Sequence, residues 1–85
     1  MKSYDKDALL HYLNGDVVAA LGKLFNVSYR QIAGPLRCSA ANIKYHIHND
    51  SFAPWQKRLL LQMFMNRGLE AAELVFLHQL IQVRK

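Results

Sequence analysis

The stretch SYRQIAGPLRCSAANIKYHIHN, Ser28 to Asn49, decides the fold. It carries two helix starts. Ser28 with Gln31 three residues on forms a capping box, in which each side chain accepts from the other residue's backbone N–H. Ser39 is a second N-cap, and Ile43 and Ile47 lie one turn apart on the inner face of the helix it opens, which runs to about Asn49. Gly34-Pro35 falls inside the first helix. Proline there removes the bond to the Gln31 carbonyl and crowds it, at about 3 kcal/mol if nothing compensates. The helix is therefore expected to kink, or to stop near Ala33.

Helical punctuation continues on both sides. Lys6 to Leu13 carries Ala8, Leu9, Tyr12 and Leu13 at helical spacing, and Asn14-Gly15 closes it. Asp16 reads as the N-cap of Val17 to Phe25, with Val18, Leu21, Leu24 and Phe25 on its buried side. Asn26 follows, a residue that tolerates the left-handed conformation at a helix end. After the turn residues Asn49-Asp50-Ser51, Pro54 suits the first position of a helix through Asn66. Gly68 separates that helix from a last one, Leu69 to Val83. Glu70 and Glu73 near its start and Arg84-Lys85 at its end match the helix dipole. No alternating run long enough for a strand survives. The expected fold is a single all-α domain of five to six short helices spanning residues 1–85.

Eighty-five residues make one small domain, yet 52% of them are apolar in type and 20% charged. That balance excludes a disordered chain and leaves an apolar surplus to be buried, in the core or against a partner. A lone cysteine excludes a disulfide framework, and no apolar run is long enough to span a membrane. The acidic turn at Asp5 and Asp7 does not read as a signal peptide. A cytoplasmic, nucleoid-associated protein is expected. Formal net charge is +5, and all six carboxylates (Asp5, Asp7, Asp16, Asp50, Glu70 and Glu73) lie outside Val17–Asn49, while Lys23, Arg30, Arg37 and Lys44 lie within it. The middle of the chain is the electropositive part, which suits a nucleic-acid partner.

A helix-turn-helix needs apolar residues where two short helices cross, a small residue at their closest approach, and a polar outer face on the second helix. Ile32, Leu36, Cys38, Ile43 and Ile47 supply the apolar contacts, Ala33 is the small residue, and the outer face carries Ala40, Ala41, Asn42, Lys44, Tyr45 and His48. With Ser28-Tyr29, Ile32-Ala33, Leu36, Ser39 and the run Ile43-Lys44-Tyr45-His46-Ile47 before Asn49, this stretch resembles the DNA-binding helix-turn-helix of LuxR-type response regulators and of sigma-factor region four. The likeness covers 22 of 85 residues. It implies double-stranded DNA as partner and a recognition helix in the major groove. The chain differs from the family in Arg37, where glycine is usual before the turn, in Pro35, and in everything after Ser51, so the signalling role is not carried over.

A competing register, Val17 to Pro35, resembles small phage Cro- and repressor-type proteins. Leu21, Phe25, Val27 and Ile32 would be its apolar set, Gly22 its small residue and Asn26 its turn. Its second helix would present Tyr29, Arg30 and Ala33 and break at Gly34-Pro35. Either way the DNA-binding candidates are Tyr29, Arg30, Gln31, Arg37, Ser39, Ala40, Ala41, Asn42, Lys44, Tyr45 and His48. Arg30, Arg37 and Lys23 suit phosphates. Asn42, Lys44 and His48 suit base edges, and Ala40 and Ala41 suit thymine methyls. Tyr45 reads equally as a DNA contact or as a half-buried core aromatic.

The part after residue 50 differs in kind. Its two helices have almost no polar face, and a helix apolar on all sides must be buried on all sides. A chain this small lacks elements to surround both, so Trp55, Leu59, Phe64, Leu74, Leu77, Leu80 and Ile81 are expected to form a homodimer interface. Residues 1–50 would bind DNA and 51–85 would dimerise, two subunits reading half-sites about one DNA turn apart. No metal, cofactor or catalysis is expected: His46 and His48, two apart on a helix, point away from each other. Cys38 reads as a small hydrophobe, and no serine or cysteine has a base beside it. The sequence therefore points to a dimeric transcriptional regulator, most simply a repressor. The alternatives are a protein-binding helical adaptor or inhibitor using the apolar C-terminal helices, and a nonspecific nucleoid protein.

Overall fold

Most helices open on a residue whose side chain meets a free backbone N–H. The computed structural model describes residues 5–84, and these are helical with no strand among them. In chain order they form α1 (Lys6–Leu9), a 3-10 turn (Leu10–Tyr12), α2 (Gly15–Leu24), α3 (Tyr29–Leu36), α4 (Ala40–Asn49), α5 (Pro54–Asn66) and α6 (Ala71–Val83). Lys85, expected at the basic end of the last helix, lies outside the described residues.

The capping box at Ser28 forms, with Gln31 Oε1 accepting from Ser28 N at 2.8 Å and Ser28 Oγ from Gln31 N at 3.2 Å. Ser39 Oγ accepts from Asn42 N at 3.1 Å. Pro54 opens α5, and Gln56 Oε1, on a buried side chain, accepts from Ala53 N at 2.8 Å.

Local chemistry alone misplaces two starts. Asn14, not Asp16, caps α2, its Oδ1 accepting from Val17 N at 2.9 Å, and the helix begins at Gly15. The reason is tertiary: a methyl group at Gly15 would collide with the carbonyl oxygen of Ile47, so only glycine lets α2 and α4 meet there. Asp50 Oδ1 accepts from Gly15 N at 2.9 Å and closes the same junction. The last helix begins at Ala71; Leu69 precedes it and is buried, and Glu73 Oε1 accepts from Glu70 N at 2.8 Å. At the chain's start the helix expected to reach Leu13 tightens after Leu9 into the 3-10 turn, where Leu13 N donates to Leu10 O at 3.1 Å.

Pro35 does not stop α3 at Ala33. The helix runs through to Leu36, and Gln31 and Pro35 are both exposed, where water can serve the carbonyl that proline leaves unpaired. Helices α2, α3 and α4 end on Asn26, Arg37 and Asp50, all left-handed, with φ of 55°, 55° and 50°. Asn and Asp adopt that conformation readily, whereas at Arg37 it costs on the order of 1 kcal/mol.

One core runs through the whole chain, from Leu9, Leu13, Val17, Val18 and Leu21 through Ile32, Leu36 and Ile43 to Leu60, Leu61, Phe64 and Leu74. Helix α4 packs on α2 and α3, α5 on α3, and α6 on α1 and α2. The radius of gyration is 12.1 Å, matching the roughly 12 Å of a compact chain this long. A single chain therefore absorbs most of its apolar surplus.

This overturns part of the expected interface. Phe64 and Leu74 are fully buried inside the one chain and present nothing to a second. Helix α5 also has a polar outer stripe, since Arg58, Gln62 and Asn66 fall one turn apart and are exposed. Gln62 Nε2 donates to Asn66 Oδ1 at 2.8 Å, and Arg58 reaches Asp7 at 3.5 Å. Leu24, expected on the buried side of α2, is 68% exposed. It is drawn out because the inward positions go to Val17, Val18 and Leu21.

Candidate nucleic-acid interface

Helix α4 is held from beneath by Ile43, which is fully buried, and by half-buried Ile47. Every residue expected on its outer face is exposed: Ala40, Ala41, Asn42, Lys44, Tyr45 and His48. Tyr45, at 62% exposure, is a surface aromatic and no part of the core. Helical geometry groups these residues further, because positions three and four apart are neighbours. Ala41, Lys44, Tyr45 and His48 make a continuous strip, and Asn42 lies at its edge. Ten residues give this face a length of about 15 Å.

The strip borders a shallow cleft of about 600 Å³, lined by Asp16, Tyr29, Ala41, Lys44, Tyr45, Ile47, His48 and Asn49. It thus brings Tyr29 of α3 together with four α4 candidates. Arg30, Arg37, Ser39, Ala40 and Asn42 stand outside it. A second hollow, about 610 Å³, carries Lys23, Ser28, Tyr29 and Gln31, so Tyr29, half-buried, sits at the boundary of both.

Two candidates have their acceptor atoms committed. Gln31 Oε1 and Ser39 Oγ cap helices, so their acceptor groups serve the fold. The side chains of Arg30, Arg37, Asn42 and Lys44 make no hydrogen bond or ion pair among the described residues, which leaves their donors to water or a ligand.

Reasoning from sequence missed Asn49 and Asp16. Asn49 Nδ2 donates to the Tyr45 carbonyl at 2.9 Å and steadies the last turn of α4; Asn at a helix end was the available signal. Asp16 puts an exposed carboxylate in the lining of the cleft, and Asp50 adds a second in the adjoining hollow beside His48.

The two histidines separate as expected. His46 turns toward Ser51, its Nδ1 2.7 Å from Ser51 Oγ, with its ring 5.2 Å from that of Phe52, while His48 faces the cleft. In the competing register, Ala33 was to be presented by the second helix. It is buried, on the same inward side of α3 as Ile32 and Leu36. That helix extends a full eight residues and does not break at Gly34.

No protein-family model, curated protein or solved structure matches this chain. Its class is set by the fold alone: an all-helical domain, with six α-helices among the described residues and a polar helix face on one side. Among the described residues no three His, Cys, Asp or Glu side chains are placed to hold a metal ion, and no helix is long and apolar enough to cross a membrane.

Proposed function

We propose that this protein is a sequence-specific double-stranded DNA-binding domain, acting as a small dimeric transcriptional regulator. In this reading α3, the three residues Arg37-Cys38-Ser39 and α4 make a helix-turn-helix, and α4 enters the major groove. The observation that carries it is the exposed outer face of α4, a helix with no carboxylate of its own, where Asn42, Lys44, Tyr45 and His48 stand on a buried base of Ile43. Lys44 donates to guanine acceptors, and the Asn42 amide pairs with adenine. Arg30 and Arg37 bind phosphates on either side. The burial of Ala33 favours this register over the one that reads with α3.

Titration of random and selected duplexes over a salt series tests the reading. Specific binding is expected, with affinity falling steeply as salt rises because phosphate contacts release counterions. Replacing Asn42 and Lys44 together by Ala removes discrimination between sites, worth about 1–3 kcal/mol per good base contact, and leaves helicity unchanged. Absence of binding, or equal binding to every duplex, would overturn it. A base preference that changes with Arg30→Ala and not with the Asn42/Lys44 pair would move recognition to α3.

A further inference from the structure

Helix α6 keeps an apolar face in water. Phe76 is 64% exposed, Leu80 38% and Val83 83%, and beside them Leu24 projects from α2. Phe76, Leu77 and Leu80 form one wall of a groove of about 410 Å³, and Leu21, Leu24 and Phe25 form the other. Glu73 stands at one end of this face and Arg84 at the other, both exposed.

We infer that this face docks a second copy of the same chain, with the two α6 helices antiparallel about a two-fold axis. A two-fold interface must be complementary to itself, since the same patch supplies both sides. Helix α6 meets that condition in its numbering. Glu73 and Arg84 are equidistant from the midpoint between residues 78 and 79, as are Leu77 and Leu80, and Phe76 and Ile81. Antiparallel pairing about that midpoint therefore sets Leu77 against the partner's Leu80 at the centre. It sets Glu73 against the partner's Arg84 at both ends. Parallel pairing would put like charges together at both ends. The same register sets Phe76 against the partner's Ile81, and the partner's helix covers the groove that Leu24 flanks. Trp55 and Leu59, exposed on α5, take no part in this groove.

The inference rests on the dimeric half of the proposed function and is independent of DNA reading. Sedimentation equilibrium of the full chain without DNA tests it. The unaltered chain is expected to form dimers, and Phe76→Ser to give folded monomers with unchanged helicity. Glu73→Arg and Arg84→Glu should each weaken association about tenfold, because each change turns both end contacts repulsive. Combined in one chain they should restore it, since the pairing is merely reversed. Dimers that persist in Phe76→Ser, single charge changes without effect, or a double change that fails to restore association would each overturn the inference. A chain monomeric at several hundred micromolar would overturn it too, leaving the face to a different protein. Equal binding to every duplex, or none, by an unaltered chain that dimerises would sink only the DNA reading.

Discussion

Helices α4 and α6 each bury one side and expose the other, but they expose opposite chemistry. Beneath α4 lies Ile43, and above it stand Asn42, Lys44 and His48 in water. Beneath α6 lies Leu74, and above it stand Phe76, Leu80 and Val83. A polar outer face costs nothing while it waits for a ligand, and a charged ligand meets it with salt-dependent affinity. An apolar outer face is disfavoured in water and is relieved by packing, with little dependence on salt. The two helices thus suit two partners, and binding through each should respond differently to ionic strength.

The sharpest way to break this contrast is to compare two phenylalanines, one buried on α5 and one exposed on α6. Phe64→Ala empties a fully buried site and should destabilise the chain by about 3–5 kcal/mol. Phe76→Ala should leave the stability of the single chain nearly unchanged and remove the concentration dependence of its melting temperature. Thermal denaturation at several protein concentrations reads both. Equal losses would mean that α6 is no free face.

Next in size is Gly15→Ala. Its methyl group would strike Ile47 backbone, which cannot move aside, and about 3 kcal/mol of stability should go with it. The control is Gly34→Ala, where a side chain meets nothing beyond its chain neighbours; the usual gain of alanine in an exposed helix is opposed by crowding against Pro35, so the change should stay under about 1 kcal/mol. Urea unfolding of both variants checks the sign as well as the size. A similarly small effect is expected from Arg37→Gly, which relieves a left-handed arginine and should raise stability by roughly 1 kcal/mol, or 4–8 °C in melting temperature. The same variant should bind DNA more weakly by the loss of one phosphate contact, so stability and affinity move apart.

What the sequence made legible follows how local each signal is. Ser28, Ser39 and Pro54 act within one turn of chain, and all three helix starts fall where they were expected. The outer face of α4 was legible because Ile43 and Ile47 mark its inner side plainly. The start of α2 was not, because Asn14 and Asp16 can both cap and the choice is made by Ile47, more than 30 residues away. Nor was the inward side of α6. A helix apolar all round offers no contrast between faces, so Leu74 and Phe76 look alike until α1 and α2 cover one of them. On α5 the polar stripe Arg58, Gln62 and Asn66 was present at helical spacing, but three residues spread over nine positions were hidden among leucines and methionines.

The bond from Gly15 N to Asp50 Oδ1 joins the first residue of α2 to the residue just after α4. A helix end ordinarily frays by itself. Here the last turn of α4 cannot loosen without also releasing the first turn of α2, so the stretch from Gly15 to Asp50 should open as a closed loop rather than from its ends. In hydrogen exchange, the amides of Gly15 and Ser51 would then share one opening rate, although 35 residues separate the two ends of the clasp.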